Sequence, residues 1–146
     1  MNNQNITIKD GINPVHFAAL RASCGLAELR PELVERALRA SLVTLSAMNG
    51  PRMVGKVRVV GDGAFAFIIY DLLVTPVWRR QGVGSLLVRE ALARVARYVP
   101  EGDWVTVGLF CAQGRESFYS RLGFRELDGN KLGTGMQRIY KAGEPL

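Results

Sequence analysis

VTPVWRRQGVGSLL, the stretch from Val74 to Leu87, joins an apolar segment to an amphipathic one through a proline, two arginines and two glycines spaced G-x-G. Where a strand passes into a helix, unpaired backbone N–H groups and the helix dipole both favour an anion. Glycine lets an anion approach closely, because no Cβ intervenes. The stretch therefore predicts either a plain strand-to-helix turn or a phosphate-binding loop, and its residues alone do not choose between them.

Two long elements flank this loop. The segment AFAFIIYDLLV, residues 64–74, is rich in aromatic and β-branched residues and predicts a long strand. Residues 83–99 carry apolar side chains at helical spacing, and Pro100 and Gly102 end that pattern. The loop is neither a Walker loop nor the G-x-G-x-x-G dinucleotide fingerprint.

The other elements follow from turn and capping residues. Asn13 and Pro14 predict the start of a helix, and Pro31 starts a second one. Asn49-Gly50 and the GDG of residues 61–63 predict two hairpins. With strands in ITIKDG, DWVTVGLF and GMQRIYK and a short helix in GRESFYSRL, the order is β-α-α-β-β-β-α-β-α-β. This order predicts an α+β domain with a mixed sheet and one strand-helix-strand crossover.

Composition limits the classes of protein. The chain of 146 residues favours one domain, and 48% hydrophobic with 22% charged residues is typical of a globular protein. No apolar run approaches the roughly 20 residues of a membrane helix, and the N-terminus does not resemble a signal peptide. We therefore expect a cytoplasmic protein without a membrane partner.

Net charge limits the kinds of partner, and the few cysteines and histidines limit the kinds of metal or catalytic site. The net charge of +6 favours an anionic partner, either nucleic acid or a phosphorylated cofactor. The arginines are spread along the chain without a nucleic-acid-binding motif, so we expect no nucleic acid. The two cysteines form no CxxC pair, and His16 is the single histidine, which leaves little basis for a metal site or a Ser-His-Asp triad.

A second motif lies downstream in FYSRLGF, Phe118 to Phe124. Together with LLVTPVWRRQGVGSLLV it resembles the GNAT superfamily of acetyl-CoA-dependent N-acetyltransferases, whose cofactor loop is R/Q-x-x-G-x-G/A and whose later segment is F-Y-x-x-x-G-F. The segments VGLFCAQGRESFYSRLGF and GTGM are similar to a bacterial subgroup of small single-domain members. The resemblance implies one acetyltransferase domain over residues 1–146. It also implies a mostly antiparallel sheet of about six to seven strands with about four helices, in which strands 4 and 5 are parallel and splayed.

The resemblance also implies a site for coenzyme A. The loop N–H groups would bind the pyrophosphate, and the end of the fourth strand would bind the pantetheine arm. A backbone N–H near Leu73 would polarise the thioester carbonyl. The implied cofactor-binding residues are Leu73, Val74, Arg79, Arg80, Gln81, Gly82, Val83, Gly84, Ser85 and Phe118, with a core aromatic as the alternative for Phe118.

Two residues are candidate catalytic groups. Tyr119 matches the general acid that protonates the departing thiolate in the family, and a phenol suits that task because its pKa of about 10 is near that of an alkyl thiol. The alternative is a core aromatic. Asp71 is a lone carboxylate in an apolar strand and the candidate general base. It could instead cap a backbone irregularity or anchor the charge of the amine, and a water or a neutral substrate would make a base unnecessary.

These assignments predict an enzyme that transfers the acetyl group of acetyl-CoA to a primary amine by direct attack in a ternary complex, without a metal. The acceptor amine belongs to a small molecule or a protein, and a homodimer is compatible with the resemblance. The alternatives are an acyltransferase that uses another acyl-CoA and a non-catalytic domain that binds or senses acyl-CoA.

Overall fold

A twisted sheet of five strands forms the centre of the computed structural model, which describes residues 5–127, 135–139 and 142–143. The strands are β1 (Ile6–Asp10), β2 (Val43–Asn49), β3 (Arg52–Gly61), β4 (Ala66–Val74) and β5 (Thr106–Leu109), and they lie in the order β1-β2-β3-β4-β5. The first four pair antiparallel, whereas β4 and β5 pair parallel. The predicted mixed α+β fold with a parallel β4–β5 pair is confirmed.

The described helices number four, as predicted: α1 (Pro14–Ser23), α2 (Pro31–Ala40), α3 (Val83–Val95) and α4 (Glu116–Ser120). Helix α1 starts where its capping residues predict, because the Asn13 side chain accepts hydrogen bonds from the N–H groups of Val15 at 2.9 Å and His16 at 3.3 Å. Helix α3 ends earlier than predicted, and residues 96–98 continue it as a 3-10 turn.

Helices cover both faces of the sheet. A Cβ added at Gly55 in β3 would lie 3.0 Å from the Leu87 side chain of α3. The next residue, Lys56, places its Nζ 3.8 Å from the centroid of the Phe17 ring of α1. Because successive residues of a strand point to opposite faces, α1 and α3 lie on opposite sides of the sheet. This double cover explains why nearly all of β3 is buried.

The expectation of about six to seven strands is wrong for the part of the chain that the structure describes, where the sheet has five. The missing strand is the one predicted in GMQRIYK. Residues 135–139 of that segment form no strand, and residues 140–141 lie outside the described ranges. Its apolar residues are not packed in a sheet, since Met136 and Ile139 are 92% and 78% exposed.

The chain divides into two compact units, residues 1–110 and residues 111–146. The first unit contains the sheet with α1, α2 and α3, and the second contains α4. Among the described helices, none has the length and apolar character needed to cross a membrane.

Candidate functional site

The loop between β4 and α3 presents a row of free backbone N–H groups. A 3-10 turn at Pro76–Trp78 follows β4, and α3 begins after Gly82, which is left-handed with a φ of 82°. Arg80 is also left-handed, with a φ of 62°. In the hydrogen bonds found for the described ranges, none of the backbone N–H groups of residues 80–85 is a donor. Successive N–H groups in a backbone of mixed handedness form a concave anion-binding site.

The electrostatics of this loop also favour an anion. Helix α3 has no acidic residue in its first turn, and no side chain caps its N-terminus. The positive end of its dipole therefore faces the loop without a neutralising group. Arg80 is exposed beside these N–H groups and can add a charged guanidinium.

Two of the predicted cofactor residues hold the loop in shape. Arg79 donates through Nε to the Val74 carbonyl oxygen at 3.0 Å. Gln81 donates through Nε2 to the Val77 carbonyl oxygen at 2.8 Å. Their side chains thus stabilise the turn, and Arg80 is the loop arginine whose side chain makes no hydrogen bond or ion pair within the described ranges.

The end of β4 has an open edge beside this loop. Pairing with β5 stops at Ile69 and Leu109, although β4 continues to Val74. A bulge before that end shifts the register with β3, so that Asp71 and Leu72 together face Val57. Strand β5 itself ends at Leu109, so the last residues of β4 have no strand neighbour on the β5 side within the described ranges.

The alternation of hydrogen bonds along the β3–β4 pair decides which residue at the end of β4 directs its backbone groups away from β3. The Thr75 N–H donates to the Val54 carbonyl oxygen at 2.9 Å, so the backbone groups of Val74 point away from β3 and those of Leu73 point toward it. The Val74 carbonyl already accepts from Arg79 and, at 3.7 Å, from the Cys24 thiol. The Val74 N–H is therefore the donor directed into the gap.

Asp71 is not a lone carboxylate. Its Oδ2 accepts from Arg58 Nε at 2.8 Å, and Lys56 Nζ lies 3.9 Å from the same oxygen. Arg21 Nη1 lies 3.8 Å from Oδ1. Asp71 also has a left-handed φ of 54° at the bulge. Asp71 thus lies at a backbone irregularity, and its carboxylate contacts three cations.

Lys56 is the buried member of this group. Its side chain has no exposed surface, and its Nζ donates to the Asp71 carbonyl oxygen at 3.4 Å. Burial lowers the pKa of Lys56 from 10.5 to about 8, although the Asp71 carboxylate acts in the opposite direction. Lys56 is thus far easier to deprotonate than an exposed lysine.

Arg21, Lys56 and Arg58 are not among the site residues that the sequence predicts. A signal for two of them was present in RMVGKVRVV, where Lys56 and Arg58 interrupt a run of valines in a central strand. Charged residues in such a strand are rarely buried unless they are paired. Their partner was the one carboxylate of the neighbouring strand.

Phe118 and Tyr119 lie together on α4 in the second unit. The Tyr119 ring packs edge-on against Phe118, with centroids 4.9 Å apart, and against Phe124 at 6.0 Å. Burial, followed by the nearby Cys111, raises the pKa of the Tyr119 phenol above its usual value. Both residues are half-buried, as aromatic packing would require, and the phenol stays protonated at neutral pH.

The other residues considered in the sequence are the single histidine, the two cysteines and the GTGM segment. His16 is exposed on α1. Cys24 and Cys111 are both free thiols. Of the GTGM segment, Gly133 and Thr134 lie outside the described residues.

Comparison with known proteins identifies the family. Residues 41–126 match the family model of the acetyltransferase (GNAT) domain, which is more than half of the chain. The match includes the strands β2 to β5, the loop between β4 and α3, and α4. The chain belongs to the GNAT family of acetyltransferases. The recognition made from the loop and FYSRLGF is confirmed.

Curated relatives carry N-acetyltransferase names. An uncharacterized N-acetyltransferase of Porphyra purpurea is 26% identical over 125 residues, which cover 82% of this chain and 70% of that protein. GCN5-related N-acetyltransferase 2, chloroplastic, of Arabidopsis thaliana is 33% identical over 73 residues. That match covers 50% of this GNAT chain and only 27% of the Arabidopsis protein.

Solved structures have the same fold. A GNAT family acetyltransferase from Streptococcus pneumoniae TIGR4 superposes with a TM-score of 0.76 at 33% identity, covering 93% of this chain and 98% of its own. This bacterial structure agrees with the bacterial subgroup. An aminoglycoside 6'-N-acetyltransferase complexed with coenzyme A superposes with a TM-score of 0.55 at 21% identity, covering 63% and 56%. At that identity the second likeness concerns the fold alone.

Proposed function

We propose that this GNAT protein transfers the acetyl group of acetyl-CoA to a primary amine, which attacks the thioester directly in a ternary complex. The observation that carries the proposal is the row of free N–H groups at residues 80–85 directly beside the open edge of β4. Family membership supports the acetyl transfer, and a structural neighbour contains coenzyme A.

The loop fits the pyrophosphate of coenzyme A. Unpaired N–H groups, the start of α3 and the Arg80 guanidinium together supply donors and positive charge for a phosphorylated ligand. Acetyl-CoA, when bound, supplies an activated acetyl thioester. In this proposal Gly82, Val83, Gly84 and Ser85 bind through their backbone, whereas Arg79 and Gln81 contribute by holding the loop.

The open edge of β4 fits the pantetheine arm and the thioester. The free Val74 N–H points into the gap beyond the β4–β5 pairing, so we assign the polarising hydrogen bond to Val74 in place of Leu73. A preorganised backbone donor at that point would stabilise the negative charge that develops on the carbonyl oxygen.

Tyr119 is the proposed general acid. A proton must reach the sulfur when the carbon–sulfur bond breaks, and a phenol that remains protonated at neutral pH can supply it. The raised pKa of Tyr119, caused by burial, supports this role. Phe118 packs against its ring and would restrict its orientation.

The amine nitrogen must lose a proton during the attack. Asp71 could accept it, but Arg58, Lys56 and Arg21 already contact its carboxylate and would compete with the amine for it. These contacts support the alternatives in which a water accepts the proton or the amine arrives neutral. Asp71 is then a residue that orients its neighbours.

The family match supports one acetyltransferase domain over residues 1–146, because residues 41–126 extend across both compact units. A cytoplasmic location and a homodimer remain part of the proposal, and the homodimer is testable by sedimentation.

Binding of acetyl-CoA provides the first test. We expect acetyl-CoA to raise the melting temperature of the wild-type protein and duplex DNA to leave it unchanged. Gly82→Ala should weaken binding, because alanine disfavours the left-handed backbone and its Cβ would stand beside the N–H groups proposed to bind the phosphate. Gly102→Ala is the matched control: Gly102 has a similar φ of 88° and no atom near its Cβ position. Equal affinities of the two variants would contradict the loop assignment.

Thiol release from acetyl-CoA across a panel of primary amines separates an enzyme from a sensor. Amine-dependent release, with the acetylated amine found by mass spectrometry, is the expected result. Binding of acetyl-CoA without release for any amine would favour the non-catalytic alternative. Faster release with a longer acyl chain would favour another acyl donor.

A further inference from the structure

A cationic cluster, Arg21, Lys56 and Arg58 around Asp71, lies between α1 and the sheet in the first unit. Side-chain exposures within it are 16% for Arg21, 0% for Lys56, 10% for Arg58 and 14% for Asp71. Asp71 is the acidic partner of all three cations, and the described residues offer them no other ion pair. One carboxylate cannot neutralise three cations, so the cationic cluster retains excess positive charge in a largely buried place.

The cationic cluster also contains guanidinium N–H groups that make no hydrogen bond within the described ranges. Arg58 uses Nε on Asp71 and Nη1 on Ala37 and Ser41, which leaves Nη2 without a hydrogen bond in the described part of the chain. Arg21 uses Nε and Nη2 on the Ala27 carbonyl oxygen, and its Nη1 has only the 3.8 Å ion pair with Asp71. Two guanidinium nitrogens beside the same carboxylate are therefore free to bind a ligand.

Both arginines retain some exposed surface. The side chains of Arg21 and Arg58 are 16% and 10% exposed, so a ligand can approach their guanidinium groups. Lys56 has no exposed surface and adds charge without needing direct contact.

The cationic cluster adjoins the edge where the acetyl group is expected. Asp71 belongs to the bulge of β4, and Leu73, two residues later, pairs with Lys56. The β5 side of β4 is open from Tyr70 onward. An amine that attacks a thioester carbonyl bound at Val74 would thus lie near the cationic cluster, so that one small molecule could reach both.

We propose that the acceptor is a small amine that also carries an anionic group, a carboxylate or a phosphate, and that Arg21 and Arg58 bind this group. This inference rests on the proposed acetyl transfer and names its substrate class. Charge-assisted hydrogen bonds from two guanidinium groups would fix the anionic end and leave the amine free to face the thioester. The proposal disfavours polyamines, which carry only positive charge.

Matched acceptor pairs test the proposal. β-Alanine and γ-aminobutyrate are compared with their neutral amides, and O-phosphoethanolamine with ethanolamine, at constant ionic strength and with rates corrected for the fraction of free amine. We expect kcat/KM to be about tenfold or more higher for the anionic member of a pair, because a hydrogen bond to a charged group contributes that much. The carboxylate and phosphate pairs show which anion is preferred. Equal values within every pair would overturn the proposal.

Substitutions show which residues cause the preference for the anionic acceptor. Arg21→Gln should lower the ratio of kcat/KM for the anionic member to that for the neutral amide toward one, mainly by raising the KM of the anionic member. Arg21→Lys should restore part of the preference. Arg94→Gln is the control, because Arg94 pairs with Asp10 on another part of the sheet. A rise in the KM of acetyl-CoA alone would assign the cationic cluster to the cofactor and refute the proposal.

Anion binding can also be measured without turnover. Calorimetry on the wild-type protein saturated with coenzyme A should detect butyrate, the amine-free analogue of γ-aminobutyrate, and should not detect butyramide. If no amine releases thiol, the proposed enzyme fails, and this measurement still decides whether the anion site exists. Absence of butyrate binding together with thiol release would refute the anion site alone.

Discussion

Replacing Lys56 by methionine tests the buried charge that dominates the candidate acceptor side of the sheet. Methionine has a similar length and no charge, so it keeps the contact with Phe17 and leaves Asp71 paired with Arg58 and Arg21. The variant should be more stable than the wild type at neutral pH, because it removes a cation that has no exposed surface.

The size and sign of the effect follow from the pKa of Lys56, which burial lowers from 10.5 to about 8. At about 1.4 kcal/mol per pH unit, holding the charged form in the fold costs about 3 kcal/mol. Below pH 8 the lysine is protonated in both the folded and the unfolded state, so this cost is constant. Between pH 8 and 10.5 the unfolded state binds more protons, and the stability of the wild type rises with pH.

Urea unfolding of both proteins from pH 7 to 10.5 measures this difference. We expect the advantage of Lys56→Met to be constant below pH 8 and to shrink by about 3 kcal/mol at the upper end. Other titrating groups cancel in the difference. Lys9→Met, at an exposed position of β1, is the control for exchanging a lysine for methionine. A difference for Lys56→Met that does not change with pH would refute the buried ammonium.

Three further predictions concern the candidate site. Tyr119→Phe should lower kcat by roughly a hundredfold with little change in the KM of acetyl-CoA, and unchanged turnover in thiol-release assays would refute the general acid. Arg80→Gly should relieve the strain of a left-handed φ of 62° and raise the free energy of unfolding by about 1 kcal/mol. The same variant should bind acetyl-CoA more weakly in calorimetry, and tighter binding would contradict the anion-binding role. Asp71→Asn keeps a residue that tolerates the left-handed backbone but leaves three cations without a carboxylate. We expect the free energy of unfolding in urea to fall by about 2 kcal/mol. A stability equal to wild type would show that the cationic cluster does not depend on that charge.

Local features of this GNAT chain could be read from the sequence because they depend on neighbouring residues. Asn13 and Pro14 define the start of α1, since capping involves only the first turn of a helix. Gly82 marks the start of α3 for the same reason, because a left-handed residue there favours glycine. The loop between β4 and α3 therefore follows from one continuous stretch, and so does the parallel placement of β5, which a helical crossover requires.

The tertiary structure decided what depends on strands meeting at a given register. Asp71 looked isolated in the sequence, because its partners belong to α1 and β3 and reach it only when the sheet and helix pack together. Likewise, the choice of Val74 over Leu73 as the free donor depends on the hydrogen-bond phase between β3 and β4, which no local pattern specifies. The sequence by itself determined the turn with a left-handed glycine at the start of α3. Packing across the sheet decided which charges surround the neighbouring edge, because burial and pairing arise only between segments that are distant in the chain.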